Sequence, residues 1–144
     1  MNTEILIEKL ALKELVDTFS NLADIKDTKA QVELFTEDAS VTSYNGDQVF
    51  KQEGREAIEQ AFANFLALFD TVYHLNGQQV VQIDGDKATG TAYCQVVLIG
   101  ANEKGKQVQT TQGVRYEDEY VKVDNQWKIA NRTSHFIYTD VKEV

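Results

Sequence analysis

The sequence predicts an α+β fold in which N-terminal helices are followed by a long, curved antiparallel sheet that wraps around them and encloses one pocket. Three observations predict it. Apolar residues in the first half recur at helical spacing. The second half holds two pairs of long runs that reverse at Asp84-Gly85 and Asp124-Asn125. No proline, Gly/Ser tract or low-complexity run interrupts the 144 residues, so a single domain is expected over 1–144.

Thr3 is positioned to cap a first helix with apolar positions at Leu6, Leu10, Leu12, Leu15, Val16, Phe19 and Leu22. Thr28-Lys29-Ala30-Gln31 reads as a capping box, so a short second helix carrying Val32, Leu34 and Phe35 starts near Thr28, with Asp27 as a further cap. Ala39–Tyr44 and Gln48–Lys51 form a hairpin turning at Asn45-Gly46. Gly54-Arg55-Glu56 opens a third helix, and Ile58, Ala61, Phe62, Phe65 and Phe69 share one face meant for burial. Val72–Ile83 then pairs with Lys87–Ile99, and Gln107–Val123 with Gln126–Tyr138. Strands this long normally curve through bulges, so their alternation should slip in places.

Composition narrows the function classes. Hydrophobic residues make up 42% and charged residues 26%, a globular balance. The net charge of −9 and the lack of a basic cluster argue against a nucleic-acid partner. Ala61–Phe69, the most apolar stretch, is too short to span a bilayer, and the charged N-terminus does not read as a signal peptide. The lone cysteine, Cys94, permits no internal disulfide and fits a cytoplasmic location. Two distant histidines and one cysteine show no metal-ligand spacing, and no phosphate loop or nucleophile elbow is present; neither metal nor cofactor is expected.

Four local features carry a family resemblance. Phe19-x4-Asp24-x2-Asp27 closes the first helix, and Leu34-Phe35-Thr36-Glu37-Asp38-Ala39 leads into the first strand. Gly54-Arg55-Glu56-Ala57-Ile58 opens the third helix, and Gly113-Val114-Arg115-Tyr116-Glu117-Asp118 precedes Asn125-Gln126-Trp127-Lys128-Ile129-Ala130-Asn131-Arg132. In this order and spacing the chain resembles the SnoaL-like branch of the NTF2-like superfamily. The resemblance implies a cone-shaped α+β barrel, usually a homodimer, with a hydrophobic pocket at its open end. Such proteins include scytalone-dehydratase-like and bile-acid-dehydratase-like enzymes, polyketide cyclases and ketosteroid isomerases, and others that only bind ligands, so the fold alone leaves function open.

The same resemblance implies site residues. Asp24 and His74 match a helix aspartate and strand histidine that work as an acid–base pair, the carboxylate orienting an imidazole that moves a proton beside a carbonyl or to a leaving hydroxyl. Tyr44 and Arg132 match a pocket tyrosine and arginine that polarise the substrate, Tyr44 being a third catalytic candidate. Phe19, Tyr93, Tyr116 and Tyr120 are further pocket candidates; strand alternation puts Tyr116, Asp118 and Tyr120 on one face. Each has a plainer reading. Asp24 falls on the polar side of its helix with Asp17, Ser20 and Asn21, Arg132 has Asp118 as a strand neighbour to pair with, and Tyr44 suits ordinary strand packing. His135 is read as a structural or interface residue. Two departures favour a non-catalytic binding or association module: Phe19 stands where the dehydratases carry a tyrosine, and Lys87–Ile99 lacks a second histidine. The expected partner is a small, apolar, ring-bearing molecule, transformed by dehydration or isomerisation if the chain is an enzyme.

Overall fold

The computed structural model describes residues 2–144. The elements are α1 (Thr3–Asp24), α2 (Thr28–Val32), β1 (Phe35–Asn45), β2 (Gln48–Glu53), α3 (Arg55–Leu66), β3 (Thr71–Asp84), β4 (Lys87–Ala101), β5 (Gln107–Val123) and β6 (Gln126–Glu143). Every expected helix and strand is present, but α2 stops at Val32, short of Leu34 and Phe35, β1 starts at Phe35 rather than Ala39, and β6 runs beyond its expected end. The α+β class holds, with helices packed inside a curved sheet of order β2-β1-β6-β5-β4-β3.

The sheet is mixed, which corrects the all-antiparallel expectation. β1 lies parallel to β6, while every other neighbouring pair is antiparallel. Tight turns impose antiparallel pairing on consecutive strands, but nearly the whole chain separates β1 from β6, and no turn constrains their direction. The sheet is also open, with β2 and β3 as its edges.

The first two helix starts follow side-chain capping, each one residue earlier than the first candidate in the sequence, whereas α3 opens after Gly54 as expected with no side-chain cap bond. Asn2, not Thr3, caps α1 by accepting from the Ile5 N–H at 3.0 Å. Asp27 caps α2 by accepting from the Ala30 N–H at 3.1 Å. The capping-box role of Gln31 is thereby overturned, and its side chain turns inward. α1 stops in a Schellman turn: Lys26 takes φ 60°, its N–H bonds to Ala23 O at 3.0 Å, and the Asp27 N–H bonds to Leu22 O at 3.0 Å.

Leu12, Leu15, Val16 and Phe19 of α1 meet Phe35, Ile58 and Ile129 in the core. Leu6 and Leu10, expected to join them, are exposed. Phe65 also leaves the expected buried stripe and borders a cavity instead, while Phe69, beyond the end of α3 at Leu66, packs partly buried against the core. Among the described residues, no helix is long and apolar enough to cross a membrane.

Bulges set which side chains face inward. On β3 the register slips between Asn76 and Gln79, so the inward set changes from Val72, His74 and Asn76 to Gln79 and Val81. On β6, Tyr120 pairs with Ile129 but Glu119 pairs with Asn131, leaving Ala130 as the extra residue. Inward positions therefore switch from Trp127 and Ile129 to Arg132 and Ser134.

Candidate functional site

A largely apolar cavity of about 480 Å³ opens between the sheet and the helices. Phe19 of α1, Phe62 and Phe65 of α3, and Phe136 of β6 form much of its wall. Phe19 packs edge-on against Phe35 and Phe62 at 5.8 Å each, which fixes this wall. Ser43, Asn45, Gln48 and Gln52 of the β1–β2 hairpin add polar groups. His74, Tyr116, Arg132 and Gln31 also line it.

The polar side of α1 is an interface with β3. Asp17, Ser20 and Asp24 stand at the i, i+3, i+7 positions of one helix face. Asn76 Nδ2 donates to Asp17 Oδ1 at 2.9 Å, and Ser20 Oγ donates to Asn76 Oδ1 at 3.0 Å. One step along β3, His74 Nδ1 lies 2.7 Å from Asp24 Oδ1, and both carboxylate oxygens accept from the His74 main-chain N–H at 3.1 and 3.2 Å. The helix needs no distortion for this, since β3 comes to the polar stripe.

Asp24 stands behind His74, and the imidazole borders the cavity. Burial pushes the His74 pKa below its ordinary 6.5; Asp24 pulls it up less strongly, and the Arg132 charge adds to the lowering. The ring is therefore neutral at neutral pH. Asp24 accepts from Nδ1–H, which leaves the lone pair on Nε2 for a ligand.

Arg132 is fully buried and pairs with Asp118 in a fork: Nε donates to Oδ1 at 2.8 Å and Nη2 to Oδ2 at 2.9 Å. Its guanidinium lies between the Tyr116 ring, 3.8 Å away, and the Phe19 ring, 4.4 Å away. Burial opposes its charge, but Asp118 outweighs burial and raises its pKa, so it stays a cation. Nη1 is buried without a hydrogen-bond partner. The expected Asp118 pair is present and uses Nε and Nη2, and the residue also lines the cavity.

Tyr116 lines the cavity, its hydroxyl accepting from Cys94 Sγ at 3.4 Å, and burial raises its pKa well above the ordinary value. Tyr120 faces inward as expected but does not line the cavity; it donates to Asp118 Oδ2 at 2.7 Å and so braces the ion pair. Tyr44 and Tyr93 also depart from expectation. On β1, Val41, Ser43 and Asn45 face the cavity, so the two-residue period sends Tyr44 to the outer face, where it stacks on His135 at 5.3 Å. On β4, Ala92, Cys94 and Val96 are buried, and the same period sends Tyr93 outward. His135 Nε2 lies 3.4 Å from Glu117 Oε2 but is too poorly aligned for a hydrogen bond. The polar lining residues Ser43, Asn45, Gln48, Gln52 and Gln31 were missed in the sequence; for Gln31 the signal was Asp27, since a cap there moves Gln31 one position inward along the first turn.

A second hollow of about 440 Å³, lined by Gln82, Thr89, Glu117 and Thr133 among others, lies on the outer sheet face and presents no histidine. Among the described residues, no group of three or more His, Cys, Asp or Glu is placed to hold a metal.

The family model described as SnoaL-like domain matches residues 4–133. The chain belongs to the SnoaL-like family. Similar solved structures share its NTF2-like fold. One, from Novosphingobium aromaticivorans and provisionally described as a scytalone dehydratase, has a TM-score of 0.86 at 23% identity, over 100% of this chain and 93% of its own. An NTF2-like protein with a cystatin-like fold, from the same organism, has a TM-score of 0.73 at 22% identity, over 93% and 84%. A type 2 hexachlorocyclohexane dehydrochlorinase has a TM-score of 0.80 at 17% identity, over 95% and 90%. No curated protein matches the chain. At these identities the likeness speaks to the SnoaL-like fold alone.

Proposed function

We propose that this SnoaL-like protein is a cofactor-free dehydratase or isomerase acting on a small, ring-bearing carbonyl compound. The observation that carries the reading is the His74 imidazole, neutral and backed by Asp24, bordering the same apolar cavity as the Arg132 cation. In a dehydration, His74 Nε2 takes a proton from the carbon beside the carbonyl. Arg132 stabilises the charge that develops on the carbonyl oxygen. Electrons from the broken C–H bond form the C=C bond as the C–O bond to the leaving hydroxyl breaks, and His74 returns the proton to that oxygen, releasing water. In an isomerisation the proton returns to another carbon. The likeness in fold to proteins described as a scytalone dehydratase, provisionally, and as a hexachlorocyclohexane dehydrochlorinase supports this class of chemistry.

The test is turnover on a panel of cyclic β-hydroxy ketones, followed by ultraviolet absorption of the enone. Product formation by the wild type and its loss in His74→Ala are expected; equal rates in the two would overturn the mechanism.

A second reading, a non-catalytic ligand-binding module, is favoured by Phe19, which offers no hydroxyl to the cavity. Tight binding of the same ketones without turnover would select it. We also propose a cytoplasmic homodimer. Tyr73, Leu75 and Tyr93 are exposed on the outer sheet face, an apolar grouping that a second copy would cover. A monomer mass at micromolar concentration in sedimentation would refute the dimer.

A further inference from the structure

Among the residues that line the cavity, a second carries a buried, unpaired polar atom, of opposite character to Arg132 Nη1. Gln31 of α2 is 1% exposed and lines the cavity. Its Nε2 donates to the main-chain Phe19 O at 3.2 Å. That bond fixes the orientation of the amide, since only the nitrogen can donate to a carbonyl. Oε1 is left buried with no partner. An amide oxygen and a guanidinium nitrogen, both buried and unpaired on residues that line one cavity, are costly features for a fold to keep without a ligand to satisfy them.

The two atoms specify complementary groups. Gln31 Oε1 accepts and cannot donate, so it selects a hydroxyl or N–H. Arg132 Nη1 donates and cannot accept, so it selects a carbonyl-type oxygen. We propose that Gln31 is a specificity-determining residue that recognises a retained hydroxyl on the ring system, so that the ligand class is a hydroxylated cyclic ketone whose carbonyl meets Arg132. The hydroxyl at Gln31 is distinct from any group that leaves. Gln31 lies in α2, whereas His74 projects from β3, and the amide cannot serve as a proton acceptor at neutral pH. The inference rests on the reading of the cavity as a site for a ring-bearing carbonyl compound, but not on catalysis.

The experiment is a binding titration by calorimetry with α-tetralone, its ring-hydroxylated isomers and their methyl ethers. A methyl ether keeps the ring and the oxygen but removes the donor. The wild type should bind at least one hydroxylated isomer about tenfold or more tighter than its ether. Gln31→Leu, close in volume, should abolish that preference, binding the hydroxylated isomer and its ether alike. A circular dichroism spectrum and thermal melt like those of the wild type report an intact fold. Gln31→Met serves as the second variant if the leucine variant does not fold.

A preference that survives in the variants, or a wild type that binds phenol and ether alike, overturns the proposal. Failure of the catalytic reading is separable. A wild type that shows the Gln31-dependent preference but no turnover on hydroxylated substrates supports the recognition role and rejects the dehydratase.

Discussion

Asp24 holds His74 at two points, its Oδ1 lying 2.7 Å from the ring Nδ1 while both carboxylate oxygens accept from the residue's own main-chain N–H. A single carboxylate therefore sets both the backbone of β3 and the tautomer of the imidazole. The grip leaves Nε2 free at the cavity wall, which is the arrangement a general base needs.

Asp24→Asn tests that grip. The amide can keep a hydrogen bond to the backbone but no longer stabilises the imidazolium formed during proton transfer. Turnover on a β-hydroxy ketone should fall about 100-fold or more, with a circular dichroism spectrum unchanged from wild type.

The acid limb of activity follows from the environment of His74. Burial holds its pKa below 6.5, so the base form predominates at neutral pH and the midpoint of the acid decline in kcat/KM should fall below pH 6.5. Stability follows the same sign. The unfolded chain binds the proton more readily than the folded one, so the contribution from neutral His74 is present above pH 6.5 and is lost as pH falls through the lowered folded value. Urea titrations should show that this acid loss shrinks in His74→Gln.

The Asp118–Arg132 pair should be sensitive to the loss of one member. Asp118→Asn leaves a fully buried guanidinium with no counter-charge, and chemical denaturation should register a loss of about 3–5 kcal/mol. Replacing both members together by Leu and Met should cost less than Asp118→Asn alone.

Asn76 ties the polar stripe of α1 to β3 through Asp17 and Ser20. Asn76→Ala removes both bonds and a longer one to the Val16 carbonyl, and should lower stability by about 2 kcal/mol in urea denaturation. The neighbouring stripe member Asn21 makes no such contact with β3, so Asn21→Ala should change stability by less than about 0.5 kcal/mol.

Tyr44→Phe separates family resemblance from geometry. The resemblance makes Tyr44 a catalytic residue, but its ring stacks on His135 outside the cavity. Steady-state kinetics should give a kcat/KM within about twofold of wild type; a large loss would mean that the β1 register differs from the one described.

Local signals made much of the fold legible. The α3 start and the Asp124-Asn125 turn stand where expected, while the other two hairpins turn one residue later, at Gly46-Asp47 and Gly85-Asp86; all depend on a few adjacent residues whose backbone preferences act at short range. β4 pairs with β5 with no slip, so simple alternation correctly put Tyr116, Asp118 and Tyr120 on one inner face. The same rule applied to β1 and β4 would have excluded Tyr44 and Tyr93, had the inner face of each strand been established first.

Four things needed the tertiary structure. Arg132 faces inward only because Ala130 is bulged out of β6; without that extra residue the two-residue period would turn its neighbour Asn131 to the core instead. Asp24 meets His74 across 50 residues of chain, and its helix face read as a solvated one until β3 packed on it. The parallel pairing of β1 with β6 joins segments that no turn connects. Gln31 became a cavity residue through the identity of the α2 cap. From the sequence alone came the element order and the candidates Asp24, His74 and Arg132; which of the residues face the cavity was decided by strand register and bulges, because a one-residue shift reverses a strand's faces and depends on partners far away in the chain.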